Sequence, residues 1–134
     1  MADTVTSQTI QDGGKTAVLK FTNESDGSGE SSVKKVDVSE LAADSAGNAC
    51  TSVSIARIYW ACRGMGVDIE FDASTNVLAI PLPADSTGDE YYDLFGSIPN
   101  NAGSGVTGDI DFTTVSASSG DAYSIILVLH KNYS

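Results

Sequence analysis

The sequence predicts an all-β chain: a β-sandwich or jelly-roll-like barrel of about eight mainly antiparallel strands. Three observations predict it. Val and Thr recur in short segments that alternate apolar and polar residues, the period of a half-buried strand. Gly, Ser, Asn and Asp cluster between those segments at short spacing, as turn chemistry requires. Long runs of the helix formers Leu, Glu, Lys, Arg and Gln are absent. With 134 residues and 41% hydrophobic content, the chain is long enough to bury a core and too apolar for wholesale disorder. Residues 1–134 read as a single domain without internal repeat, with residues 1–11 an edge strand or a partner-contacting arm.

Residues 3–10 alternate weakly and are mostly Thr and Ser, so the segment reads as a polar edge strand or a loosely held arm. Asp12-Gly13-Gly14 is a hairpin turn, because glycine accepts the positive φ that tight turns demand. Lys15–Thr22 follows as a strand with Ala17, Leu19 and Phe21 on one face. Residues 23–30 (NESDGSGE) read as an exposed, acidic, flexible loop whose oxygen spacing does not match the calcium-binding EF-hand pattern. Ser32–Val38 is a third strand, Val36 and Val38 on one face and Lys35 and Asp37 on the other. Ser39–Asp44 makes one helical turn.

The stretch Val53–Phe71 organises the chain. It holds the only tryptophan, Trp60, and both arginines, Arg57 and Arg63, and it reads as two strands joined at residues 63–66. Val53–Ala61 is apolar on both faces apart from Arg57, as a central strand buried on two sides would be. Arg57 then belongs at a rim or beside a carboxylate, and both arginines are expected to pair with the protein's own acids. Val67, Ile69, Phe71 and Ala73 alternate with Asp68, Glu70 and Asp72, giving one dry and one acidic, wet face. Val77–Leu82 is a strand closed by Pro81 and Pro83. Residues 84–105 read as a long connection with an aromatic cluster at Tyr91, Tyr92 and Phe95. Val106–Val115 is a strand with Val106, Ile110 and Phe112 inward and Asp109 and Asp111 outward. Ala122–His130, apolar on both faces, is expected to be central and to pair with residues 106–115.

Eighteen acids against 7 bases give a net charge of −11. Such a surface repels phosphate backbones and anionic lipid, which argues against nucleic acid and membrane as partners. The first fifteen residues lack the basic and apolar regions of a signal peptide, and no run approaches the ~18 apolar residues of a membrane-spanning helix. A chain made in a cytoplasm is therefore expected, and Cys50 and Cys62 read as free thiols, Cys62 buried. The sequon matches at Asn23 and Asn132 carry little weight without a secretion route.

Tests for chemistry give little. His130 is the single histidine, and no glycine-flanked serine elbow, phosphate loop or Cys/His zinc pattern accompanies it. His130 reads as a strand-end residue, and no enzyme activity or cofactor is expected. Asp68, Glu70, Asp109 and Asp111 can form a cation site if their strands are neighbours, with solvated charge as the default reading. Trp60, Tyr91, Tyr92 and Tyr133 can line a sugar-stacking platform, against which stands ordinary core packing.

Three stretches taken together carry a resemblance: residues 1–31, the middle SIARIYW…GMGVDIEFDASTNVL, and IPNNAGSGVTGDIDFTT. They resemble small virion structural proteins of marine and cyanobacterial tailed bacteriophages. The resemblance covers most of the chain, has the form of sequence texture, and transfers no site residues. It implies a non-enzymatic protein of the capsid surface, made in the host cytoplasm: a decoration or cement protein in contact with the major capsid protein or other virion proteins, and a homo-oligomer. A neck, tail or fibre-associated protein and a carbohydrate-binding attachment domain are the alternatives. The N-terminal segment, through Thr4, Val5, Thr6, Ser7 and Thr9, is the candidate partner contact, because a strand with so little apolar content gains most from pairing with another chain.

Overall fold

A computed structural model describes residues 3–91 and 97–133. The chain is all-β, as the alternation predicts: two antiparallel sheets and one short 3-10 turn. The strands are β1 (Thr4–Asp12), β2 (Thr16–Asp26), β3 (Val33–Val36), β4 (Ser52–Arg63), β5 (Gly66–Phe71), β6 (Val77–Leu82), β7 (Thr87–Tyr91), β8 (Ile110–Val115) and β9 (Ser119–Asn132). One sheet has the order β1-β2-β9-β4-β7 and the other β3-β8-β5-β6.

The pairings define the architecture. β2 pairs with β9, β3 with β8, β4 with β7 and β5 with β6, all antiparallel. That nesting is a long hairpin rolled up into two facing sheets, the jelly roll. Among the described residues there is one strand more than expected: residues 3–10, one of the eight expected strands, form β1 beside β2 outside the roll, and β7 is the unexpected strand.

Between the sheets lies one apolar cluster. Ala17, Leu19 and Phe21 of β2, Ile55 and Ile58 of β4, and Ile125, Leu127 and Leu129 of β9 meet Val67, Ile69 and Phe71 of β5 and Ile110 and Phe112 of β8. These are the dry faces that the period-two pattern marks. Phe112 stands at the centre, edge-on to Phe21 (centroids 5.3 Å apart) and to Tyr123 (5.9 Å).

Several expectations are corrected. β9 is central, but its neighbours are β2 and β4; β8, its expected partner, lies in the opposite sheet. The rolled connectivity separates strands that are adjacent in sequence. β8 begins at Ile110, and Val106 is 49% exposed instead of inward. β2 runs on to Asp26, so half of the expected 23–30 loop is strand, with Asn23 and Ser25 buried. β7 lies within the expected long connection, where it covers the flank of β4. β4 is thus flanked on both sides but not central, and only its first half is buried on both faces. A bulge at Ala56 shifts the register, after which Ile58 and Cys62 face the core while Tyr59 is half-buried and Ala61 exposed. The helical turn expected at Ser39–Asp44 lies earlier and is shorter, a 3-10 turn at Val38–Glu40 capped by the Asp37 side chain, and it takes Val38 out of the expected third strand.

Candidate functional site

The predicted contact residues Thr4, Val5, Thr6, Ser7 and Thr9 all lie on β1 and all are exposed. β1 is an ordered strand, not a loose arm: it pairs with β2 from Thr4 to Asp12, with one bulge at Ile10. Strand alternation turns Val5, Ser7 and Thr9 toward the inter-sheet side, opposite the buried Asn23, Phe21 and Leu19. The smaller sheet does not extend over β1. Val5 is 46% exposed, and Ser7 and Thr9 form one wall of a cleft of about 370 Å³ whose far wall carries Lys34, Lys35 and Glu40.

Both ends of β1 are pinned by carboxylates. Asp3 accepts hydrogen bonds from the backbone N–H groups of Asp26 (3.1 Å) and Gly29 (3.3 Å) and from the side chains of Asn23, Ser25 and Ser28. Partial burial pushes its carboxyl up, but these donors outweigh burial and hold it at about 2. Asp3→Ala is expected to lose about 1 kcal/mol of stability at neutral pH, read by urea denaturation, since charge-assisted bonds contribute at this level when half exposed. A carboxyl with a depressed folded pKa stabilises above its unfolded pKa and ceases to as it protonates, so the difference from wild type should vanish as pH falls from 4 to 2. At the other end, Asp12 accepts from the backbone N–H of Ala42 and pairs with Lys131, whose side chain is fully buried and also donates to the carbonyls of Gly13 and Ala42.

The acids on the second sheet come partly together. β5 and β8 are neighbours and set Glu70 opposite Asp111 and Asp68 opposite Thr113. Asp109 and Asp111, expected in the wet layer, are only 4% and 3% exposed. The protein's own donors engage both: Asp109 pairs with Lys34 at 2.8 Å and accepts the Val38 N–H at 2.9 Å, while Asn76 donates to Asp111 (2.9 Å) and Glu70 (3.3 Å). Among the described residues, no group of three or more His, Cys, Asp or Glu is arranged to hold a metal ion. Burial, together with the adjacent Asp72 carboxyl, raises Asp111 to about 6, against the pull of Asn76. A carboxyl whose folded pKa is raised destabilises the fold as pH climbs from its unfolded value through the folded one. Asp111→Asn should therefore melt at a higher temperature than wild type at pH 7, with the gain disappearing below about pH 4.

The arginines diverge. Arg57 makes a two-pronged pair with Asp89 (3.0 and 2.9 Å) and lies 4.6 Å from the Tyr59 ring centre, as its strand position predicts. Arg63, expected on a carboxylate, donates instead to the Gly120 carbonyl. Trp60 packs against the core, its indole N–H on the Ser86 hydroxyl at 3.0 Å. Gly88 lies against its ring so closely that a Cβ there would come within 2.3 Å of it. Tyr92 and Phe95, and the side chain of Tyr91, lie outside the described residues. Cys50 and Cys62 are buried free thiols, and burial pushes Cys62 up to about 11, far from thiolate reactivity at neutral pH. His130 is exposed near the end of β9, opposite Thr16 and Ser54.

No family model matches the chain, and no curated protein or solved structure matches it.

Proposed function

We propose that this chain is a non-enzymatic structural protein of a tailed-bacteriophage virion, a decoration or cement protein of the assembled head. The observation that carries the reading is a nine-residue edge strand, uncharged from Thr4 to Gln11, laid outside the jelly roll. Such an edge serves a protein that works by contact with other chains. Jelly rolls recur in viral capsid proteins and in lectins, a fold-level analogy that favours the virion setting and assigns no chemistry. The resemblance of the three sequence stretches to phage structural proteins points the same way, and the net charge of −11 disfavours nucleic acid and anionic membrane as partners.

In this role the protein assembles as a homo-oligomer on the major capsid protein or another virion protein. A subunit that binds the mature shell and not its precursor stabilises the shell by mass action, and many copies multiply a small binding energy. The test is quantitative: copies per purified particle, with imaging of particles made with and without the protein. Stoichiometry near that of the capsid protein and loss of surface density on deletion are the expected results. A small fixed number of copies would move the protein to the neck or tail, and an unchanged particle surface would exclude it from the head.

A further inference from the structure

The two sheets have four lateral edges among the described residues: β1, β7, β3 and β6. Three carry the features that keep exposed edges from pairing. β3 is four residues long, is bulged and presents the half-exposed Lys34. β6 contains Pro81 and a register shift. β7 is five residues long and carries Asp89 and Glu90. β1 has no such guard over most of its length. From Thr4 to Gln11 it contains no charge and no proline, it is rich in β-branched residues, and its single bulge at Ile10 lies near the far end.

From this contrast we infer that β1 is the interface between two copies of the chain, pairing antiparallel with itself across a two-fold axis at Ser7. The sheets would then join into one of ten strands, five from each copy. Charge identifies the occupant. Two molecules of net charge −11 repel at any acidic edge, so self-pairing needs an uncharged strand; a basic partner would be served better by an acidic one such as β7. With the axis at Ser7, Val5 faces Thr9 and Thr6 faces Gln8, while Asp3 falls near Gln11 of the other copy and no aspartate meets itself. A C2 contact of this kind is isologous and closes on itself, which avoids open fibres. Exposed Val5 gains cover in the process.

The isolated 134-residue chain tests this independently of any virion role. Sedimentation equilibrium from low to high micromolar concentration should show a monomer–dimer equilibrium. Thr6→Lys with Gln8→Lys places like charges opposite one another at two symmetry-related positions and should weaken the dimer at least about tenfold. Thr6→Lys with Gln8→Glu replaces them with opposite charges and should restore association to near wild type. The two variants share the Thr6 substitution, so a folding defect would strike both, and circular dichroism with melting curves checks it. Wild type that stays monomeric throughout, or a lysine pair as dimeric as wild type, overturns the inference. A folded Lys/Glu variant that fails to recover overturns the Ser7-centred register. Any of these outcomes leaves the virion reading to stand or fall on particle stoichiometry.

Discussion

Phe112→Ala is expected to destabilise the protein by about 3–5 kcal/mol, among the largest effects of any single substitution in the core. The ring is completely buried on β8. It meets Phe21 at an interplanar angle of 76° and Tyr123 at 66°, edge-to-face contacts that contribute beyond simple burial. Phe21 belongs to β2 and Tyr123 to β9, so the truncated side chain would leave a void between the two sheets, with a jelly roll's strand pairing on either side to resist collapse. For a chain of this length the loss corresponds to roughly 11–18 °C in melting temperature. Phe112→Leu, which keeps most of the volume, should cost less than half as much. Calorimetry of the three proteins would decide it. Equal melting temperatures for Phe112→Ala and wild type would mean that the two sheets are not held together at this point.

The dry faces that make this prediction were legible in the sequence because each is written locally. Ala17, Leu19 and Phe21 recur at every second position, and Val67, Ile69 and Phe71 alternate with Asp68 and Glu70; all six are buried. The Asp12-Gly13-Gly14 hairpin and the β6 strand were legible for the same reason, although neither Gly13 nor Gly14 takes the positive φ expected of the turn. What failed was information held by distant partners. Asn23–Asp26 looks like loop because its residues are polar, yet it continues β2 because Asp3 and Glu30 supply partners for the inward Asn23 and Ser25. β7 has no alternating pattern and is a strand because β4 offers it a ladder. The pairing of β9 with β2 joins the two ends of the chain, and neighbouring strands in sequence were the wrong guide once the hairpin was rolled. The candidate interface was visible as a polar N-terminal strand. The sequence offered it as a partner contact, but its contrast with the other three edges depends on the sheet order and could not be read locally.

Glu30→Gln is the second large effect, about 3–5 kcal/mol, because it strands a buried cation. Glu30 and Lys35 are an ion pair with side chains each only 6% exposed. Glu30 is also the acceptor for the Tyr123 hydroxyl at 2.6 Å and the Asn23 amide at 2.8 Å, so one carboxylate ties β2, β3 and β9 together at one end of the sandwich. The Tyr123 hydroxyl is held far above its ordinary pKa, first by burial and then by this carboxylate, and it stays a donor throughout the accessible pH range. Glutamine preserves the size and an oxygen for Tyr123 but removes the negative charge that Lys35 needs. The cost should therefore come from Lys35 and should be relieved by removing it. Glu30→Gln combined with Lys35→Met replaces a buried pair with neutral groups of similar volume, an exchange that is often neutral or stabilising. The double variant is expected to recover most of what the single one loses, giving a coupling energy of at least about 2 kcal/mol in a double-mutant cycle read by denaturant unfolding. Additive single losses would mean that Lys35 reaches water when its partner is gone, and that the end of the sandwich is held by the Tyr123 and Asn23 bonds alone.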